Sequence, residues 1–312
     1  MIAPICLFTY NRLAETQKTI CALRDNFLSS ESDLFIFSDG YKDENSKRKV
    51  EKVRDYLRTV DGFKSITLIE SSENKGLADS IISGVSSIVE KHGKVIVVED
   101  DLITSENFLD FMNQALDHYQ DKQQVFSIAG YSIKINLPAN SHSDVFLRGR
   151  PTSWGWGTWK DRWSSVDWDL KDWDSIQRTD GKVKILEEHG SDLYPMLLDY
   201  INGKNDSWAI RFAYSQIMQN RITVSPVISK VRNIGFGADA THCKTAYNKD
   251  KILFDGSAKR NFYFTNDLRL DENIKHQLKK NSSLRERAKG KILSYLIDKN
   301  VIDPIDNVEY IE

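Results

Sequence analysis

The sequence predicts an α/β fold in which a mainly parallel sheet is flanked by helices. Three observations carry that expectation. Short apolar runs alternate with amphipathic stretches through the first half, and one run, Val95-Ile96-Val97-Val98, has the unbroken β-branched character of a strand covered on both faces. Three of the runs also end in polar residues, as strands do where a sheet of this kind meets its ligand. With 312 residues, 40% of them hydrophobic, the chain can bury its own core without a disulfide or a structural metal.

Taken in order, Ile5-Cys6-Leu7-Phe8 reads as the first strand and Ala14 to Leu23 as a helix. Leu34-Phe35-Ile36-Phe37 makes a second strand that ends in Ser38-Asp39-Gly40. Ser46 to Val60 has helical spacing with many charges, and Ser65 to Glu70 is the third strand. Asn74-Lys75-Gly76 opens a helix over Ala78 to Lys91, whose Ile81, Val85, Ile88 and Val89 share one face, and His92-Gly93 closes it. Val95 to Val98 runs straight into Glu99-Asp100-Asp101, and a helix follows over Glu106 to Tyr119.

From Val125 the texture changes to strand-like pieces, an aromatic segment from Trp154 to Trp173, a helix near Asp206 to Asn220 and loops around Gly235 to Thr241. Ile274 to Leu296 is basic and helical in spacing, with Lys275, Lys279, Lys280, Arg285, Arg287, Lys289 and Lys291 against Glu286. The expected organisation is an α/β half over 1–125, a second half of the same domain over 126–250, and a C-terminal helical extension over 251–312.

The formal net charge of -2 supplies no global field to gather a polyanion, so nucleic acid is not an expected partner. Three cysteines without paired spacing make neither a disulfide framework nor a zinc site, which suits a reducing cytoplasm. The N-terminal apolar run lacks a basic n-region and reads as a strand rather than a signal peptide. No apolar stretch approaches the length of a membrane span.

Thr9-Tyr10-Asn11-Arg12, Ser38-Asp39-Gly40 and Glu99-Asp100-Asp101 all fall at expected strand ends, which outlines a site. Adjacent carboxylates after an apolar strand repel one another unless a cation is present, and hard oxygen ligands select Mg²⁺ or Mn²⁺. The same triplet also suits the N-terminus of the helix that follows. Asp39-Gly40 is either ordinary turn chemistry or a ligand contact. Arg12 is either ion-paired or phosphate-binding, and Lys75 beside Gly76 opens a helix whose N-terminus suits phosphate.

All but one of the seven tryptophans fall between Trp154 and Trp173. Aromatic faces stack on sugar rings and glycines allow close approach, so Trp154, Gly155 and Trp156 are the candidates for a saccharide contact. Trp159, Trp163, Trp168 and Trp173 are expected in a satellite core. In Asn205-Asp206-Ser207-Trp208, Asp206 or Ser207 is either a helix N-cap or, for the carboxylate, a general base. His242 is either a surface residue or a ligand to the cation or phosphate.

In this order the motifs resemble those of GT-A fold (Rossmann-like) glycosyltransferases, and most closely the N-acetylglucosaminyltransferase I type of inverting enzyme, over about the first 245 residues. Ile5 to Arg12 looks like that family's first strand and nucleotide loop, Ser38-Asp39-Gly40 like its uridine-contacting strand end, and Val97 to Leu102 with Asn107 to Phe111 like its metal motif and following helix. Pro151 to Trp156 is similar to its acceptor-side segment, Asn205 to Trp208 to its catalytic segment, and Ile228 to His242 to the stretch that closes over the diphosphate.

The resemblance implies a metal-dependent transfer of sugar from a UDP-sugar, UDP-GlcNAc or a related hexose, to a glycan or lipid-linked acceptor. It implies that Arg12 and Asp39 help bind the nucleotide, that Glu99 and Asp100 contact the donor sugar and ribose, and that Asp101 ligates the metal; Thr9, Asn11 and Lys75, at the strand and helix ends beside them, are further nucleotide-binding candidates. Thr241 would lie by the diphosphate, with Trp208 near the sugars and Asp206 as the base. Asn205 and Ser207 depart from the family's Trp and second Asp. The Golgi members' membrane anchor has no counterpart, so the expectation is a cytoplasmic bacterial-type enzyme whose basic tail contacts the inner membrane surface. A carbohydrate-binding module built on the tryptophans is the alternative from another class. A sugar-phosphate nucleotidyltransferase is a further one, disfavoured because Thr9 to Leu13 contains no glycine.

Overall fold

The computed structural model describes residues 1–138, 141–171, 173, 180–236, 247–299, 301–303 and 306–312. Its first half is a regular strand–helix alternation: β1 (Ile5–Thr9), α1 (Leu13–Arg24), β2 (Asp33–Ser38), α2 (Glu44–Leu57), β3 (Ser65–Glu70), α3 (Gly76–His92) and β4 (Lys94–Glu99). Local chemistry sets the helix boundaries. Asp43 and Ser46 form a reciprocal capping box at the start of α2, and Gly93, at φ +77°, ends α3 where an L side chain would be strained.

Beyond β4 come β5 (Leu102–Thr104), α4 (Phe108–His118), β6 (Val125–Ala129), β7 (Val145–Arg148), β8 (Trp156–Trp159), α5 (Lys160–Ser164), α6 (Asp180–Glu188), α7 (Leu193–Ile201) and α8 (Trp208–Met218). The remainder is β9 (Ile222–Pro226), β10 (Val231–Asn233), β11 (Ile252–Asp255), α9 (Glu272–Asn281), α10 (Leu284–Asp298) and β12 (Val308–Ile311). Eight strands make one sheet in the order β3-β2-β1-β4-β8-β6-β9-β7. The pairs β3-β2, β2-β1, β1-β4 and β6-β9 are parallel, while β8 enters antiparallel between β4 and β6. The expected α/β class with a mainly parallel sheet is therefore the class observed.

Alternation along the central strands divides the core in two. Ile5, Leu7, Ile96 and Val98 face a layer containing α1 and α4, and Cys6, Phe8, Val95 and Val97 face α3, α5 and α8. That is why β1 and β4 read as continuous apolar runs: both of their faces are covered. β8 lies this deep only because Gly157 has no Cβ, which would sit 2.9 Å from the Val95 carbonyl oxygen.

The C-terminal region differs from a plain helical extension. β11 and β12 form a small parallel sheet, and the expected helix over Ile274–Leu296 is two helices, broken where Ser283 caps α10 by accepting from the Glu286 N–H. The segment leading to α9 is stitched to α4: Gln114 donates to the Arg260 carbonyl, the Tyr119 hydroxyl to the Thr265 carbonyl, and Phe262 packs edge-on against Phe111. Among the described residues no helix is long and apolar enough to cross a membrane.

Candidate active site

The parallel register sets Phe8 beside Glu99 and Thr9 beside Ser38, so the C-terminal ends of β1, β2 and β4 open at the same edge of the sheet. The three polar strand ends are thereby brought together.

At the centre, the Arg12 guanidinium donates to Asp100 Oδ1 at 2.5 Å and to Asp101 Oδ2 at 2.9 Å, and the Tyr10 N–H donates to Asp100 Oδ2 at 3.3 Å. The Glu99 carboxylate accepts no hydrogen bond from any described residue, nor does Asp101 Oδ1. Burial on its own would lower the Arg12 pKa, but its pairing with Asp100 and Asp101 outweighs burial and holds the guanidinium protonated.

Burial raises Asp100 to about 6, with the Asp101 charge adding to it and Arg12 opposing. Burial, then the charges of Asp101 and Asp100, push Glu99 well above the usual carboxylate range. Three carboxylates thus face one guanidinium, and fully ionised they leave two uncompensated negative charges. Such a cluster is chemically matched to a hard cation.

Among the described residues no group of three or more His, Cys, Asp or Glu side chains is placed to hold a metal by itself. Both Asp100 oxygens are already engaged. A cation here would rest on Asp101, with the remaining oxygens coming from a ligand.

Both carboxyls bind protons more tightly in the folded chain than in the unfolded one. The stability this confers is complete below their ordinary values and is lost as pH rises through about 6 for Asp100 and through the raised range of Glu99. The metal-free protein is therefore expected to lose melting temperature as pH rises from about 4 to 7. Glu99→Gln should flatten that slope, as read by scanning fluorimetry in EDTA, and an unchanged slope would remove the cluster as its cause.

Asp39 has a structural task. Its carboxylate accepts from the backbone N–H groups of Gly40, Lys75 and Gly76 and from Asn74 Nδ2, at 2.8–3.0 Å, which ties the end of β2 to the start of α3. Gly40 has to be glycine because a Cβ would lie 2.3 Å from the Glu73 carbonyl carbon. Thr9 is buried, Asn11 is partly exposed with no side-chain hydrogen bond to a described residue, and the Lys75 side chain is exposed.

At this edge Arg54 is not singled out by the sequence, and Gly235 reads there only as the start of a loop. Arg54, one charge among many on α2, donates to Ser38 Oγ and to the carbonyls of Ser38, Asp39 and Ser71, clamping the ends of β2 and β3. Gly235 lies against Asp101, where an added Cβ would stand 1.9 Å from Oδ2. No local pattern distinguishes Arg54, and none along the chain pairs Gly235 with Asp101. Thr241 and His242, expected beside the diphosphate and the metal, lie outside the described residues.

The tryptophans divide differently from the expectation. Trp156, expected to offer a ring face to a sugar, is 1% exposed and stacks on Trp208 at 5.1 Å and on Trp163 at 5.7 Å. Ring pairs of this kind contribute about 0.5–1.5 kcal/mol each beyond area burial, so Trp156 is a core residue. Gly155 is likewise structural: it sits at φ +60°, and an added Cβ would lie 2.7 Å from Val231 Cγ2 and 3.4 Å from the Phe108 ring. Trp159, Trp163 and Trp173 are buried and Trp168 is partly so, but of these four, expected in a satellite core, Trp159 packs in the α1/α4 layer and Trp163 and Trp168 in the α3 layer of the main core, and Trp173 alone lies in a separate cluster with α6, α7 and α8.

Trp154 is partly exposed, edge-on to Tyr131 and Phe236, and with Trp208 it lines a cavity of about 330 Å³. Phe236 follows Gly235, so Trp154 connects the Asp101 edge to that cavity.

Ser207, rather than Asp206, caps α8, accepting from the Ile210 N–H. The Asp206 side chain is 65% exposed and pairs with Arg211 at 3.3 Å. It borders a separate shallow depression with Asp169, Tyr200 and Lys204 and does not line the cavity that Trp208 lines.

No family model matches the chain. No curated protein matches it either. Among solved structures it is similar to a mannosyltransferase, PcManGT from Pyrobaculum calidifontis in complex with GDP-Man and Mn²⁺, at 10% identity and a TM-score of 0.35, over 51% of this chain and 45% of that one. It is also similar to S. aureus TarS, at 13% identity and a TM-score of 0.32 over 46% of this chain and 24% of that one, and to TarS 1–349, at 10% identity and 0.32 over 50% and 47%. The chain spans less than half the length of each.

Proposed function

We propose that this protein is a glycosyltransferase of the GT-A kind that uses a divalent cation, Mn²⁺ or Mg²⁺, and a UDP-sugar donor, and delivers the sugar with inversion to a glycan or lipid-linked saccharide. The observation that carries the reading is the Glu99-Asp100-Asp101 cluster at the open end of the central strand, with more carboxylate than Arg12 can neutralise. The motif resemblance over the first 245 residues supports the nucleotide-sugar class. The cation would be held by Asp101, and when bound it supplies charge neutralisation for the departing diphosphate.

The chain's own residues have distinct tasks in this reading. Arg12 holds Asp100 and Asp101 in place. Asp39 and Arg54 fix the backbone of the strand ends that face the nucleotide. Glu99, free of hydrogen bonds to described residues, faces the donor sugar. Asp206, which pairs with Arg211 and borders the neighbouring depression, would turn from Arg211 to take the proton of the acceptor hydroxyl while that oxygen bonds to the anomeric carbon and the bond to the diphosphate breaks. A non-catalytic sugar-binding module is the weaker reading, since the tryptophans that would form its platform largely fill the core.

The base assignment has a direct test. Asp206→Asn is expected to reduce kcat by roughly a hundredfold or more while donor affinity stays unchanged. The assignment falls if kcat remains within about threefold of wild type, which would leave Asp206 as a surface partner of Arg211.

A further inference from the structure

The cavity beside Trp154 has a charge balance that neither its surface position nor the fold explains. Six of its lining residues are cations: Arg148, Arg150, Lys249, Lys275, Lys279 and Arg287. Three carboxylates face them, and each is already matched. Asp192 accepts both terminal nitrogens of Arg150 at 2.9 Å, Asp250 pairs with Lys249 at 2.9 Å, and Glu188 pairs with Lys275 at 3.0 Å.

Arg148, Lys279 and Arg287 are left with no carboxylate within ion-pair distance among the described residues. The Nε atoms of Arg148 and Arg287 are shielded from solvent and have no hydrogen-bond partner there. Asp250 and Asp192 act on Arg148 and Arg287 only from beyond ion-pair distance, and a buried N–H without an acceptor is costly to the fold unless water or a ligand completes it. Burial, reinforced by the neighbouring Arg150, lowers Arg148 to about 10, so at neutral pH it still carries its charge.

Arg148 ends the edge strand β7, Arg150 follows it, and the other cations come from the segment before β11 and from α9 and α10. The C-terminal region thus closes a wall of this cavity. Its volume of about 330 Å³ suits a monosaccharide-sized group, and Trp154 and Trp208 add apolar surface beside the charge.

We propose that this cavity is an oxyanion site that receives a phosphate or carboxylate group carried by the acceptor saccharide, with Arg148 as its central ligand. That the anion belongs to an acceptor rests on the transferase reading. The excess of cations rests on the structure alone. Charge-assisted hydrogen bonds from a guanidinium fork recognise either group, and losing one costs about 1.5–3 kcal/mol, roughly tenfold or more in affinity.

The test uses the full chain without nucleotide and titrates glucose 1-phosphate, glucuronate and uncharged glucose by calorimetry. Saturable binding of at least one anionic sugar, weakened about tenfold or more by Arg148→Gln, is expected, with glucose failing to compete. Binding of the phosphate ester alone or the carboxylate alone identifies which anion the site takes. Lys279 is exposed and has no ion pair among the described residues, so Lys279→Gln is expected to leave the fold intact and should weaken the same binding severalfold.

UDP binding with Mn²⁺ is measured in parallel and should be insensitive to Arg148→Gln. Anion binding that depends on Arg148 in a protein that ignores UDP would support the site and remove the transferase reading. Nucleotide binding without any preference for anionic sugars over glucose, or anion binding indifferent to both variants, would overturn the oxyanion site alone.

Discussion

Replacing Asp101 by alanine is expected to abolish the stabilisation that UDP with Mn²⁺ confers on the wild-type protein. A ligand held at a hundred times its Kd stabilises the native state by about 2.7 kcal/mol. For a chain of this size that corresponds to a rise of about 4 °C in melting temperature. Asp101→Ala should reduce that rise to nothing, because Asp101 Oδ1 is free of hydrogen bonds to described residues and both Asp100 oxygens are engaged. The fold should survive, since Arg12 retains Asp100 as a partner.

Gly235→Ala should reach the same end by displacing the carboxylate, its new Cβ having to occupy space 1.9 Å from Oδ2. Scanning fluorimetry with UDP and UDP-sugars, with and without Mn²⁺, reads both variants. A full shift retained in Asp101→Ala would remove this aspartate from the cation site, and no nucleotide shift in wild type would remove the donor site altogether.

The second large effect concerns stability. Lys230 and Asp255 form an ion pair buried to within a few per cent of complete exclusion from solvent, between the start of β10 and the end of β11. Asp255 also accepts from Asn107 Nδ2 and from the N–H and hydroxyl of Ser257. The Lys230 backbone donates to the Gly130 carbonyl and accepts from the Ser105 N–H, and its ammonium lies 4.6 Å from the centre of the Phe262 ring.

Lys230→Met would leave the Asp255 charge buried with only neutral donors, at a cost of about 3–5 kcal/mol. Thermal denaturation should show a fall of about 5–8 °C. Lys230→Met with Asp255→Asn should recover over half of the loss, because removing both charges avoids the unpaired one. A drop below about 2 °C in the single variant would mean that water reaches Asp255 and that the pair has little structural weight.

Lys230 also illustrates what reading along the chain misses. In Ile228-Ser229-Lys230 nothing separates this lysine from a solvated one, and its partner stands 25 residues further on. The tryptophans show the same limit at shorter range. Trp154 and Trp156 have the same local context of alternating glycines, yet only Trp154 reaches the cavity, because β8 pairs with β4 and β6 and buries Trp156 between Trp163 and Trp208. Asp206 and Ser207 were equal candidates for the cap of α8, and backbone geometry chose the serine.

By itself the sequence determined the parallel strand–helix alternation, the α3 helix with its Gly93 end, and the arrival of Arg12, Asp39 and Glu99-Asp100-Asp101 at strand ends. These depend on periodicity and capping, which act over a few residues and are written locally. Only the tertiary structure decided that Arg12 would share itself between two acids, that Asp39 would anchor α3, that Trp156 would be core, and that cations from β7, the segment before β11, α9 and α10 would meet in one cavity. Those outcomes depend on which distant side chains share a low-dielectric space, and Coulomb and desolvation energies are functions of distance through space rather than along the chain.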